Sequence, residues 1–225
     1  MRVPILMYHR VIDPALAGDS LPSLIVPPAL FRAQMAALAA AGWHAITLRA
    51  LDAYLLSGRQ PPPRTFVPTF DDGYRDGYLY AWPILREFGF VGTYFVVTGR
   101  IGRLVDNLEP QDLCALTRGG NEVANHTVDH VDVPALPAAS MAAEIDVATQ
   151  GITAWTGVRP VDFAYPFGAF GQAEIDHLAA QGYVTAVTTR WGAYENWYSR
   201  FLTPRIRVGP GTSAAGLLAT LDAYR

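Results

Sequence analysis

The sequence RTFVPTFDDGY at residues 64–74 contains a short apolar run that ends on two adjacent acidic residues, Asp71 and Asp72. A proline-rich segment at 61–63 bounds the run on one side and Gly73 bounds it on the other. This pattern predicts a buried β-strand over 65–70 followed at once by a turn. Because α/β proteins carry functional side chains at the carboxyl ends of their strands, the two carboxylates predict an α/β enzyme with its site here.

Short runs rich in β-branched and aromatic residues alternate with longer segments of helical period along the rest of the chain. This alternation is typical of β–α units around a parallel sheet. The predicted strands are 3–8, 44–48, 65–70, 92–97, 121–124, 161–165, 183–188 and 205–208. One predicted helix starts at Pro27-Pro28, and another lies between Pro137 and Gly157. The other predicted helices cover 49–57, 77–88, 110–118, 171–181 and 212–223. The segments 99–109 and 190–201 lack periodicity, so we expect loops over a pocket there.

The composition limits the classes of function. A chain of 225 residues, 51% hydrophobic and 16% charged, suits a single globular domain over residues 1–225. Its net charge of -3 gives no electrostatic reason to bind nucleic acid or an anionic membrane. All 17 basic residues are arginines, so lysine Schiff-base chemistry is excluded, and the single cysteine, Cys114, excludes an internal disulfide.

The N-terminal apolar run is too short for the core of a signal peptide, and no later run is long enough to span a bilayer. We therefore expect a soluble protein that is cytoplasmic by default, unless an export signal has been removed. The sequence makes no prediction of oligomeric state.

A second polar motif, His126-Thr127-Val128-Asp129-His130, follows another predicted strand. Two histidines and one carboxylate of the Asp71-Asp72 pair form a ligand set that leaves positions open for water and substrate. The other carboxylate could then take a proton from the attacking water, which favours hydrolysis of an amide or an ester. Iron-dependent oxygenases share this ligand set, but their common His-x-Asp spacing is absent. Each motif alone is more often a turn or a structural feature.

The two motifs together resemble the first and second motifs of the polysaccharide deacetylase family, carbohydrate esterase family four. This resemblance implies a distorted (β/α) barrel of about seven parallel strands. It also implies a divalent metal held by Asp72, His126 and His130, with Asp71 as the general base. Zinc is the default ion, although Co²⁺, Ni²⁺, Mn²⁺ and Fe²⁺ accept the same ligands.

The third family motif, Arg-x-Pro-x-Gly, is altered in this chain, where the segment 164–168 has alanine at the arginine position. In the family the arginine holds the catalytic aspartate, so another residue must supply that contact. Arg205 is the candidate, and a packing role is an equal alternative. The backbone N–H of Phe167 in the same turn could donate to the developing oxyanion, and the resemblance suggests that Tyr165 and Pro166 contact substrate.

The family's C-terminal Leu-x-x-His motif is also missing, because no histidine follows His177. The first predicted strand instead ends at His9, which is similar to the circularly permuted arrangement of bacterial poly-N-acetylglucosamine deacetylases. His9 is therefore the candidate general acid. Trp191 is the match to the family's pocket tryptophan, and further exposed aromatics for a sugar are expected among Tyr194, Trp197 and Tyr198.

The function expected from these residues is removal of N-acetyl groups from a glycan that contains N-acetylglucosamine. An O-acetyl esterase of the xylan type remains open, because the same site cleaves esters. A carbohydrate-binding protein without turnover also remains open, and it is suggested by Ala164 at the arginine position.

Overall fold

Seven parallel strands close into a barrel in the computed structural model, which describes residues 2–193, 196 and 198–224. The strands of the described chain are β1 (Ile5–Tyr8), β2 (Arg10–Val11), β3 (Ile25–Val26), β4 (His44–Ala45), β5 (Thr65–Phe70), β6 (Thr93–Val96), β7 (Glu122–Asn125), β8 (Asp162–Ala164), β9 (Thr185–Trp191) and β10 (Thr203–Arg207). The α-helices are α1 (Pro28–Ala40), α2 (Leu48–Ser57), α3 (Trp82–Glu87), α4 (Pro110–Arg118), α5 (Ala138–Thr156), α6 (Gln172–Ala180) and α7 (Ala214–Asp222).

The barrel is closed by its first strand. Around the barrel the order is β1, β10, β9, β8, β7, β6 and β5, and β1 pairs with both β10 and β5. Strand β4 extends the sheet beside β5, while β2 and β3 form a separate two-stranded ladder. Because the barrel strands are parallel, all of their carboxyl ends lie at one end of the barrel. The fold expected from the family resemblance is confirmed.

Side chains alternate between the inside of the barrel and the helices around it. One buried cluster contains inward residues of six strands, among them Ile5, Val67, Phe95 and Ala164. The helix residues Leu48 and Leu51 belong to the same cluster. Outward residues of β1, β5, β6, β7 and β10 belong to a larger cluster that includes residues of α1, α3, α4 and α7. Those of β8 and β9 pack with α5 and α6 in a further cluster. The alternation that puts Val67 inside the barrel also puts Thr69 and then Asp71 on the inner side.

The observed elements follow the predictions with a few differences. The strand predicted at 44–48 is only two residues long, because Thr47 caps the next helix by accepting a hydrogen bond from the backbone N–H of Ala50. The helix predicted at 77–88 begins as a π-helical turn at Gly77–Ala81 before α3. Strands β2 and β3 were not predicted, since two residues show no periodicity. Within the described chain, no helix combines the length and the apolar character needed to cross a bilayer.

Candidate active site

Asp72, His126 and His130 lie together at the carboxyl end of the barrel. Asp72 Oδ1 is 3.5 Å from Nε2 of His126 and 3.2 Å from Nε2 of His130. Among the described residues these three form a group able to hold a metal ion. Burial raises the pKa of the Asp72 carboxyl, but its interactions with the two neighbouring histidines outweigh burial and hold it well below its usual value. We call this group the Asp-His-His cluster.

Three residues of this region have a left-handed backbone, which is uncommon for residues other than glycine. The φ angles are 72° at Asp72, 68° at Thr127 and 57° at His130. Hydrogen bonds hold both segments in place. Asn107 Nδ2 donates to the Asp72 carbonyl at 3.1 Å, and the Thr127 N–H donates to Asn125 Oδ1 at 2.8 Å. Such strain persists only where the surroundings enforce it, and it is frequent at functional sites.

A backbone contact sets the orientation of the His126 ring. His126 Nδ1 lies 2.8 Å from the carbonyl oxygen of Ala164, which can only accept a hydrogen bond. The proton is therefore on Nδ1, and Nε2 faces Asp72 with its lone pair free. Metal-binding histidines are commonly oriented by such a contact.

Asp71 lies beside this cluster and forms a two-pronged ion pair with Arg205. Arg205 Nη1 donates to Asp71 Oδ1 at 2.7 Å, and Nη2 donates to Oδ2 at 2.6 Å. The guanidinium is itself held, because it also donates to the hydroxyl of Thr69 and to the carbonyl of Thr188. Burial raises the pKa of the Asp71 carboxyl, but the Arg205 charge outweighs burial and lowers it below its ordinary value. The sequence-based choice of Arg205 as the partner of Asp71 therefore agrees with the observed contact.

His9 lies directly after β1 and is half-buried. Burial lowers the pKa of its imidazole; the charges of Asp71 and Asp72 oppose this shift and that of Arg205 reinforces it. These charges place His9 in electrostatic range of both aspartates, so the strand that closes the barrel brings His9 to the site.

The turn after β8 brings Phe167 next to the Asp-His-His cluster. Phe167 has a φ of 60°, and its ring centroid is 4.6 Å from that of His130. By contrast, Tyr165 and Pro166 are buried, and the Tyr165 ring packs against Phe163. Their side chains are buried in the structure, and their contact with substrate stays a prediction.

A family model for polysaccharide deacetylases matches residues 58–186, more than half of the chain. The chain belongs to this family. The matched range contains both aspartates and both histidines of the site. His9, directly after β1, and Arg205, on β10, lie outside it. In the barrel, β1 flanks β5 and β10 flanks β9.

Known proteins resemble this deacetylase over nearly its whole length. YxkH of Bacillus subtilis (strain 168), which its name places among the polysaccharide deacetylases, is 27% identical over 224 residues, covering 100% of this chain and 77% of YxkH. The structure of the Streptococcus pyogenes deacetylase PplD in complex with acetate has a TM-score of 0.90 and 26% identity, covering 98% of each chain. IcaB from Ammonifex degensii shares the fold, with a TM-score of 0.84 at 23% identity over 97% of this chain and 96% of IcaB.

The predicted aromatic surface of the deacetylase is described in part. Trp191, at the end of β9, is 62% exposed, and Tyr198 is 97% exposed. Both side chains are accessible to a ligand, and their contact with a sugar stays a prediction. Tyr194 and Trp197 lie outside the described residues.

The sequence did not predict the residues that support the site through hydrogen bonds and a cation–ring contact. Arg10 Nε donates to Asp76 Oδ2 at 2.7 Å, and the Arg10 guanidinium lies 4.4 Å from the centre of the Tyr74 ring. Glu144 accepts hydrogen bonds from the backbone N–H groups of Val128 and Asp129, in the loop between the two histidines. Arg10 and Asp76 lie close to the motifs in sequence, and this closeness was the signal that could have identified them.

Proposed function

We propose that this deacetylase is a divalent-metal-dependent hydrolase that removes N-acetyl groups from N-acetylglucosamine units of a poly- or oligosaccharide. The observation that carries the proposal is the pairing of Asp71 with Arg205 directly beside the Asp-His-His cluster. One aspartate is thereby available as a metal ligand and the other as a base.

The cluster suits a small divalent cation. Two donor atoms about 2.1 Å from a tetrahedral ion are about 3.4 Å apart, and the Asp72 oxygen lies 3.2 and 3.5 Å from the two histidine nitrogens. Two imidazoles and one carboxylate leave coordination positions open, as catalytic zinc sites do. We propose zinc, while cobalt, nickel, manganese and iron suit the same donors. When bound, the ion would lower the pKa of a coordinated water and polarise the acetyl carbonyl.

The residues around the cluster divide the remaining work. Asp71, held ionised by Arg205, takes the proton of the attacking water. The backbone N–H of Phe167, whose ring packs against that of His130, donates a hydrogen bond to the oxygen on which negative charge develops. His9, in its protonated form, gives a proton to the amide nitrogen as the C–N bond breaks. Acetate and a free amine on the sugar are the products.

The Arg205 contact argues against the alternative that the chain is a carbohydrate-binding protein without turnover. That alternative was suggested by the alanine at position 164, which leaves the family arginine absent. Because Arg205 reaches Asp71 from β10 instead, the aspartate is not left without a cation. The alanine methyl lies inside the barrel with Phe95, and the Arg205 guanidinium is 5.7 Å from the centre of the Phe95 ring.

The test is acetate release by metal-loaded protein from N-acetylglucosamine oligomers and, in parallel, from acetylated xylan. We expect release from the oligomers, its loss after chelation, and its return with stoichiometric zinc. Release from xylan alone would instead identify an ester hydrolase. Stoichiometric metal with glycan binding but no release from either substrate would identify a binding protein.

A further inference from the structure

A cavity of about 410 Å³ lies between the 99–109 loop and Tyr74, beside the segment that carries Asp72. Small-molecule pockets commonly have volumes of about 300–1,000 Å³. Asn107, which lines the cavity, donates to the backbone carbonyl of Asp72. The other lining residues are Tyr74, Arg100, Leu104, Val105 and Asp106. The cavity is therefore built on the segment that carries the candidate metal ligand.

The loop that walls this cavity is fixed to both halves of the site. On one side the Leu108 N–H donates to the Gly73 carbonyl at 2.9 Å, next to Asp72. On the other side the Gly99 N–H donates to the Val128 carbonyl at 2.8 Å, between the two histidines. The position of the cavity relative to the cluster is therefore set by hydrogen bonds, although Val105 at the loop tip is 93% exposed.

Polar and apolar groups face each other across the cavity. The Tyr74 ring is held from behind by Arg10, which is itself fixed by Asp76. Leu104, 54% exposed, and Val105 provide an apolar surface. A mixture of apolar surface with a few fixed polar groups is typical of ligand sites.

Arg100 is the cation of this cavity that has no partner. It is half-buried, and within the part of the chain that the structure describes no hydrogen bond or ion pair holds its guanidinium. Other arginines near the site are paired: Arg10 with Asp76, and Arg75 with Glu109. The one carboxylate lining the cavity, Asp106, lies 3.7 Å from Arg10, which pairs more closely with Asp76, at 2.7 Å. The guanidinium of Arg100 is therefore available to a ligand.

We propose that this cavity binds the sugar unit next to the acetylated one, and that Arg100 positions that unit by donating hydrogen bonds to a carboxylate or phosphate group on it. A planar guanidinium binds both anions through two parallel hydrogen bonds. The apolar surface of Leu104 and Val105 then contacts the sugar ring. This inference rests on the proposed function and adds a preference for a glycan that carries an anionic substituent beside the reacting unit.

The experiment compares acetate release from three oligosaccharides of equal length by zinc-loaded protein. One is neutral, made of N-acetylglucosamine alone; one carries a lactyl carboxylate on the neighbouring unit; one carries a phosphate ester there. Arg100→Gln removes the charge, Arg100→Lys keeps it, and Arg103→Gln is the matched control from the same loop, because Arg103 is exposed and does not line this cavity.

We expect one or both anionic oligosaccharides to have a lower KM than the neutral one, and the better of the two identifies the anion. Arg100→Gln should raise the KM for that substrate about tenfold with little change in kcat, since a hydrogen bond to a charged group is lost. The preference should weaken with added salt, return in part in Arg100→Lys, and persist in Arg103→Gln.

Equal KM values for neutral and anionic substrates, or equal effects of Arg100→Gln and Arg103→Gln, would overturn the role of Arg100. A complete absence of acetate from all three substrates would instead contradict the proposed function. In that case, calorimetric binding of the two anionic oligosaccharides to the native protein and to Arg100→Gln still decides whether Arg100 binds the anion.

Discussion

Two groups of buried acidic residues lie at opposite ends of the same barrel, and their pKa values are shifted in opposite directions. At the carboxyl end, Asp71 and Asp72 have lowered pKa values. At the amino end, burial raises the pKa of Asp52 to about 7 and raises that of Asp162 well above its ordinary value. Burial does not distinguish them, because Asp71 is 3% exposed and Asp162 is 0% exposed.

The partners make the difference. Asp71 faces a guanidinium that donates to both of its oxygens. Asp162 faces the carboxyl groups of Asp52 and Glu122 instead, and among the described residues no side-chain or backbone donor reaches either of its oxygens. Two carboxyl groups can share a hydrogen bond only if one keeps its proton. At the amino end Asp162 therefore keeps its proton, while at the carboxyl end Asp71 and Asp72 stay ionised.

The largest expected effect is the loss of turnover in Asp71→Asn. The amide keeps the shape of the side chain but cannot take a proton, so acetate release should fall about 10²- to 10⁴-fold, the usual contribution of a general base. Metal content, measured on the same preparation, should be unchanged. His126→Ala is the contrasting variant and should lower metal content itself. Substantial activity in Asp71→Asn would contradict the base assignment.

Arg205→Met tests the ion pair from the other side. The variant leaves Asp71 buried without its cation, so the Asp71 pKa should rise and the free energy of unfolding should fall by about 3–5 kcal/mol. Denaturant unfolding at pH 7 measures this loss. Arg207→Met, an exposed position on the same strand, is the control and should change stability little. Equal losses in both variants would show that the ion pair is not what stabilises this end of the barrel.

His9→Ala should slow amide cleavage about 10²-fold, because the leaving amine then lacks its proton donor. Cleavage of an activated aryl ester should be affected much less, since its leaving group needs no proton. Comparing kcat for an N-acetyl sugar and for the aryl ester gives the answer. If both substrates lose the same factor, His9 has a structural role.

The smallest expected effect concerns pH and the amino end. Because the folded-state pKa of Asp52 is about 7, above its ordinary value near 4, the folded protein holds a proton that the unfolded chain loses across this window. Stability therefore falls as pH rises from about 4 to 7 and then levels off. Asp52→Asn removes this dependence. The free energy of unfolding of the variant, minus that of the native protein, should therefore increase by about 1–3 kcal/mol between pH 5 and pH 8.

Unfolding at both pH values checks this prediction, with exposed Asp19→Asn as the control. The same pH slope in Asp52→Asn as in the native protein would mean that Asp52 does not carry the proton.

The sequence predicts the carboxyl end far better than the amino end. Asp72, His126 and His130 are found from the sequence because each lies in a short motif directly after a strand. For Arg205, contact with Asp71 and a packing role were equal alternatives. The contact spans 134 residues and depends on which strands become neighbours in the barrel. Asp52 and Asp162 belong to no motif, because separate elements bring them together.

The closing strand also has a consequence for synthesis on the ribosome. Strand β1 carries Tyr8, whose carbonyl accepts the N–H of Asp71, and His9 follows it. Its other neighbour, β10, carries Arg205 and is the last strand of the barrel to leave the ribosome. Until then the barrel has an open edge, and Asp71 lacks its cation. A chain arrested before residue 203 should therefore lack acetate release, which first appears when β10 pairs with β1.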